Sequence, residues 1–209
     1  MRKIANLFLI LLLAIVATFS ITACVPNTNS NGNNGDTSAN VTYEITVDAN
    51  NLAVDTSRLS VCIYSMDGEM LSEKKLSRGK VFFEQKGDSY IATLSGLSEE
   101  ISYSSVLLTE NTKKATITLE KAKYNDFTQI FNFTFTVIVI TDTPVADLDV
   151  QICDDKLCRP VSFENGNIAD IELNTGIYDV KVYSNEGTEE LYNTKYTVTS
   201  DNRFCIIKL

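Results

Sequence analysis

Histidine and tryptophan are absent from all 209 residues. Without imidazole there is no histidine general base, no Ser-His-Asp or Cys-His pair and no imidazole metal ligand. Positive charge is in deficit, with Lys+Arg at 18 against Asp+Glu at 27 and a formal net charge of −9. That balance argues against a nucleic-acid partner, whose phosphates select Lys and Arg. No stretch of a dozen residues carries a convincing 3.6-residue apolar period, so helices are not expected. The chain is 44% apolar and 22% charged, enough to fill a core, and its length suits one or two domains.

The N-terminus reads as an address. Arg2 and Lys3 precede an apolar run of 13 residues, Leu7 to Phe19, interrupted only by Thr18. A membrane span needs about 20 apolar residues, so this run fits a secretory signal better. It ends in Ile21-Thr22-Ala23-Cys24, which resembles the lipobox of bacterial lipoproteins. The resemblance implies that residues 1–23 are removed and that the Cys24 thiol receives a lipid, with palmitate among the acyl chains. Several chains at about 0.8 kcal/mol per buried CH₂ would hold the protein on a bilayer. Loss of Arg2 and Lys3 moves the formal charge of −9 by two, to −11. An acidic body is repelled by anionic lipid, so the lipid rather than the folded part would anchor the chain. Residues 24–40 then form a lipidated tether rich in Asn, Ser and Gly, too polar to offset the entropy of ordering. The sixteen residues after Cys24, Val25 to Asn40, reach roughly 20–24 Å on average.

The remainder alternates with period two. Tyr43-Glu-Ile45-Thr-Val47, Leu59-Ser-Val61-Cys-Ile63, Leu148-Asp-Val150-Gln-Ile152 and Tyr178-Asp-Val180-Lys-Val182 are half-buried strand patterns. Asp67-Gly68, Lys86-Gly87-Asp88, Asn165-Gly166 and Asn174-Thr-Gly176 supply turns. The two halves match in order: Leu59–Ile63 with Leu148–Ile152, Gly79 with Gly166, Tyr90 with Tyr178, Leu108-Thr109 with Val198-Thr199, and Ile117–Leu119 with Ile207–Leu209. These spacings predict a tandem repeat, 41–122 and 126–209, joined near Glu120 to Asn125, each copy a small all-β sandwich. The second copy, through Phe135–Val139, Thr143–Ile152, Gly166 and Asn174–Val182, is similar to the prealbumin-like β-sandwich family, including carboxypeptidase-regulatory-like and collagen-adhesin B-type modules. The resemblance implies two tandem Ig-like (prealbumin-like) sandwiches and carries no activity with it. The internal Lys–Asn bond of some collagen-adhesin modules needs an inward lysine on the first strand. Tyr43–Val47 and Phe133–Val139 offer none.

Four cysteines remain beyond Cys24. Cys153 and Cys158 flank a turn sequence, Asp-Asp-Lys-Leu, and either bridge or stay as two free thiols; Cys153 should point outward if Val150 and Ile152 point in. Cys205 shares the parity of Ile207 and is expected in the core, whereas Cys62 is expected to be partly exposed. No Cys-x₂-Cys pair exists, and no metal or cofactor is expected. Ser72-Glu-Lys-Lys75 and Ser200-Asp-Asn202 match two motifs of penicillin-recognising enzymes, but the third, K-T-G, is missing. Glu99-Glu100, Asp154-Asp155 and Glu189-Glu190 are read as solvated charge rather than a glycosidase pair. Tyr64, Tyr103, Tyr183, Tyr192 and Tyr196 are a lead toward a glycan or protein edge, against the plainer role of capping a small sandwich.

These readings predict an exported protein, lipid-anchored on the extracytoplasmic face of a cell membrane. Its sandwiches would form a non-catalytic binding or structural surface for an unknown protein or glycan. An accessory pair serving an extracellular hydrolase or transport system is the alternative, followed by a carboxylate-based hydrolase.

Overall fold

The computed structural model describes residues 40–209 apart from 51, 165 and 185–188. The signal, Cys24 and nearly all of the tether lie outside the described residues. Asn40, assigned above to the tether, already pairs with Lys86 as the first residue of a strand.

The described residues are all-β. In the first half the strands are β1 (Asn40–Asp48), β2 (Ser60–Ser65), β3 (Met70–Lys75), β4 (Lys80–Lys86), β5 (Tyr90–Ser95), β6 (Ile101–Ser102), β7 (Val106–Leu108), β8 (Lys114–Thr118) and β9 (Glu120–Lys121). In the second they are β10 (Lys123–Asn125), β11 (Ile130–Ile140), β12 (Leu148–Cys153), β13 (Cys158–Pro160), β14 (Ile168–Leu173), β15 (Gly176–Ser184), β16 (Glu190–Val198) and β17 (Phe204–Lys208). Two three-residue 3₁₀ turns, Thr56–Arg58 and Val145–Asp147, are the only helical segments among the described residues. No helix there is long and apolar enough to cross a membrane.

The halves repeat one topology. Sheet β4-β1-β8 joins an antiparallel β1/β4 pair to a parallel β1/β8 pair, and β14-β11-β17 does the same with β11 at its centre. The facing sheets, β3-β2-β5-β7 and β13-β12-β15-β16, also correspond strand by strand. Gly79 (φ 74°) and Gly166 (φ 76°) hold the same left-handed turn ahead of β4 and β14, a conformation that costs glycine nothing. Tyr90 donates its hydroxyl to the Lys86 carbonyl, four residues back, and Tyr178 repeats this with Asn174, both at 3.0 Å.

Period two explains the cores. Tyr43, Ile45 and Val47 meet Val61, Ile63 and Ala92 in one cluster, and Phe133, Phe135 and Val137 meet Val150, Ile152 and Val180 in the other. Each inward face is one parity of its strands. The opposite faces of β5 and β11 do not meet water. Ile91, Ile138 and Phe204 bury one another, with Tyr64 packed edge-on to Phe204 at 4.8 Å. The four sheets are therefore stacked, with β3-β2-β5-β7 against β14-β11-β17.

That stacking corrects one expectation. Cys62 is buried rather than partly exposed, because both faces of β2 are covered. Its thiol donates to Ser95 Oγ at 3.7 Å. Tyr103 is buried too, with its hydroxyl bonded to the Leu94 carbonyl (2.8 Å) and to Thr93 (2.8 Å).

Polar groups finish the contact between the halves. Thr134 N–H donates to Ser102 Oγ (2.7 Å), Ser105 N–H to Thr136 Oγ1 (3.0 Å), and Ser104 Oγ to Asp170 (2.7 Å). Arg203 is wholly buried there. Its Nε donates to its own half at the Ser200 carbonyl (2.6 Å), and Nη1 and Nη2 donate to the Ile101 and Ser98 carbonyls of the first half. No buried side-chain polar atom among the described residues lacks a partner. The joint itself is strand: β9 pairs with β6, β10 pairs with β11, and Ala122 N–H donates to the Glu100 carbonyl.

Candidate ligand cleft

Copies of one scaffold share what the scaffold needs, so features present in only one copy deserve scrutiny as functional. Among the described residues the second half has two. The first is the hairpin of β10 and β11. Asn125 pairs with Ile130 across a four-residue tip, where the Asn125 carbonyl accepts from Gln129 N–H (2.7 Å) and its side chain accepts from Phe127 and Thr128 N–H. Gln129 turns the chain back at φ 57°. The tip holds Phe127 in water at 97% exposure, and Tyr124, 48% exposed, lies on Phe131 with ring centres 4.7 Å apart. The hairpin thus presents apolar ring surface to solvent that burial against another surface would stabilise.

The second feature is the disulfide-closed turn of the β12/β13 hairpin, whose first-half counterpart, β2/β3, has no such bond. Cys153 and Cys158 are directly opposed, with Cα atoms 3.9 Å apart and their sulfurs joined. Cys153 is buried although it lies off the core cluster, while Cys158 is exposed. Asp154 Oδ1 accepts from Lys156 and Leu157 N–H at 2.9 and 2.8 Å, and Oδ2 accepts from Arg159 at 2.8 Å. Those backbone N–H groups, and then Arg159, hold the Asp154 carboxyl below its usual range, so it is a fixed acceptor rather than a proton donor at neutral pH.

Both features border one cleft of about 650 Å³. Its walls are Asn125, Thr128, Ile130 and Asn132 of the aromatic hairpin, Asp154 to Lys156 and Arg159 of the second hairpin, and Glu172, Asn174 and Gly176 to Tyr178 around the β14/β15 turn. Burial raises the Tyr178 hydroxyl above its usual value, and Tyr178 donates to both the carbonyl and Oδ1 of Asn174 at 3.0 Å. Lys123 pairs with Glu172 at 2.5 Å.

The other candidates lie elsewhere. Ser72 sits half-buried on β3, and the Ser200-Asp-Asn202 turn is used structurally: Asp201 accepts from Gly96 N–H (2.9 Å) and Asn202 Nδ2 donates to the Thr197 carbonyl (2.7 Å). Glu99 accepts from Thr175 Oγ1, and Glu100 and Glu189 are exposed. Tyr64, Tyr183, Tyr192 and Tyr196 are half-buried, the last two sharing a hydroxyl bond of 3.0 Å. No group of three or more His, Cys, Asp or Glu that could hold a metal occurs among the described residues. Sequence reasoning missed Tyr124, which it placed in the joint, and Phe127, which it placed at the start of the second repeat; an Asn-Asp tip flanked by Tyr124 and Phe131 was the available signal.

No protein-family model matches the chain, and no curated protein does. Among solved structures it is similar to the Bacillus anthracis TIE protein, at 13% identity and a TM-score of 0.31 over 80% of this chain and 33% of that one. A family 41 carbohydrate-binding module from streptococcal virulence factors, titled for α-glucan recognition, is 8% identical at a TM-score of 0.34, over 80% of this chain and 93% of that one. The shaft pilin spaA of Lactobacillus rhamnosus GG is 10% identical at 0.31, over 81% and 96%. The chain thus spans about a third of the Bacillus protein. Scores at this level do not establish a common fold.

Proposed function

We propose that this chain is an exported, lipid-anchored surface protein whose tandem β-sandwiches, 41–122 and 126–209, form a non-catalytic binding module. The cleft beside the aromatic hairpin is its ligand seat. One observation carries the reading: the aromatic hairpin and the disulfide-closed turn, which among the described residues occur only in the second half, border the same cleft. Nothing in the cleft needs to react. The Asp154 carboxylate is committed to two amides and Arg159, and Glu172 to Lys123. The anchor rests on the lipobox at Cys24.

Two measurements test this. Cys24→Ser should move the chain from the membrane fraction to the medium and abolish palmitate incorporation. Beads bearing the full chain should retain material from an extracellular polymer extract, and Phe127→Ala should reduce that retention without altering the melting temperature. Release of reducing ends or new peptide termini during the incubation would overturn the non-catalytic reading.

A further inference from the structure

Resting on the cleft just described, we infer that its ligand is an uncharged oligosaccharide. The argument starts from charge. Asp154, Asp155 and Glu172 line the cleft with Lys156 and Arg159, and Lys123 stands beside Glu172. Three acids thus face three bases. Asp154 is matched to Arg159 and Glu172 to Lys123 within the protein. A charged ligand would have to compete with those internal pairs and would find no excess of either sign.

What is left for a ligand is neutral and polar. The Asn132 side chain and the Thr128 hydroxyl have no hydrogen-bond partner among the described residues, and the Asn125 amide uses only its oxygen. An amide supplies donors and an acceptor together, and a hydroxyl does likewise, which suits a hydroxyl that must both give and accept. Sugars present such hydroxyls along the ring edge and apolar C–H groups on the ring faces. Apolar surface stands next to the polar groups here: Ile130 is 40% and Ile177 65% exposed, both on the cleft wall, with Phe127 at the hairpin tip.

The size agrees, since about 650 Å³ lies inside the roughly 300–1,000 Å³ of small-molecule sites. So does rigidity. The loop from Asp154 to Leu157 is pinned by its own carboxylate and closed by the joined sulfurs, and the β14/β15 turn is tied by the Tyr178 hydroxyl. Groups already fixed lose little freedom when a ligand arrives.

The test is calorimetric titration of the full chain in a sugar-free zwitterionic detergent. The probes are uncharged gluco-, manno-, galacto- and xylo-oligosaccharides, with anionic polygalacturonate beside them. At least one uncharged probe should bind, with an affinity unchanged from about 0.05 to 0.5 M salt. Asn132→Ala and Ile177→Asp should each weaken it about tenfold. Phe82→Ala, in the first half, should leave it intact, and unchanged melting curves should show that the variants fold. Failure of every uncharged probe, or binding of polygalacturonate alone, overturns the inference. If the cleft variants lose retention of a protein from the polymer extract while no sugar binds, the cleft remains a binding site and only the ligand class falls. Full sugar affinity in both variants overturns the cleft as well.

Discussion

The Arg203 guanidinium lies 4.2 Å from the centre of the Phe133 ring, with Tyr103 at 5.1 Å, although Tyr103 and Arg203 are 100 positions apart in the chain. No carboxylate bonds to this buried cation. Three backbone carbonyls and two ring faces replace water around it. Hydrogen bonds to a charged donor contribute about 1.5–3 kcal/mol each, and a buried acceptor left bare costs about 1–3 kcal/mol.

Arg203→Ala should therefore destabilise the chain by about 3–5 kcal/mol, read from urea unfolding. Because two of the carbonyls, Ser98 and Ile101, belong to the first half, the variant should also uncouple the halves. The single wild-type transition would split, or its slope against urea would fall. Arg203→Lys keeps the charge but loses the planar fork and should recover only part of the loss. A substitution that changes nothing would show that apolar packing alone joins the halves.

Acid sensitivity follows from three carboxylates held below their ordinary values of 4.5 for Glu and 3.8 for Asp: Glu44, Asp154 and Asp55, the last lowered chiefly by its bonds from Ser57. Glu44 is lowered chiefly by Lys80 and then Lys114, which donate to it, and Asp154 chiefly by the Lys156 and Leu157 N–H groups. A depressed folded pKa adds stability that is fully present above the unfolded value and is lost as pH falls through the folded one. Stability should be level above about pH 5 and decline toward pH 2. Asp154→Asn should flatten part of that decline. Equal slopes in wild type and variant, from urea midpoints across this range, would remove Asp154 as a contributor.

Alternation made the strands legible because a half-buried strand writes its inner face into every second residue. Tyr43, Ile45 and Val47 are all buried, as are Tyr178, Val180 and Val182. The repeat was legible for the same reason, its matched positions being core and turn residues. Alternation failed at β2 and β5, where the second half covers the face that one sandwich alone would wet. Ser60, Cys62, Ile91 and Thr93 are buried on that account. The burial of Arg203 leaves no mark in the sequence because its acceptors are backbone carbonyls, two of them about a hundred residues away. The cleft was hidden in another way. It needs β10, three residues long, and a turn without glycine, and neither stands out from a linker.

The burial of the two unpaired thiols among the described residues, Cys62 and Cys205, predicts slow chemistry. Desolvation raises the Cys62 thiol, only partly opposed by its bond to Ser95, and burial raises Cys205 further. A raised thiol pKa lowers the thiolate fraction at any given pH, and the thiolate is the nucleophile. Neither side chain should react with a disulfide probe at pH 8 while the protein is folded, and both should react at once in guanidinium. Prompt labelling of Cys62 in the native chain would mean that the two halves separate readily in solution.

The Cys153–Cys158 linkage has a consequence at the cleft. Closing a loop this short removes roughly 2 kcal/mol of chain entropy from the unfolded state. Reduction, or Cys153→Ser with Cys158→Ser, should lower stability by about that amount, and reductant should then have no further effect on the double variant. The register Cys153↔Cys158 and the Asp154 bonds to Lys156 and Leu157 remain without the sulfur link, so the hairpin should persist as a looser one. Amide exchange would show this as faster exchange confined to residues 153–159, while Val150 and Val180 in the core keep their protection. A non-reducing peptide map with Cys153 and Cys158 in separate peptides would show two free thiols, and the predicted loss on reduction would vanish with them.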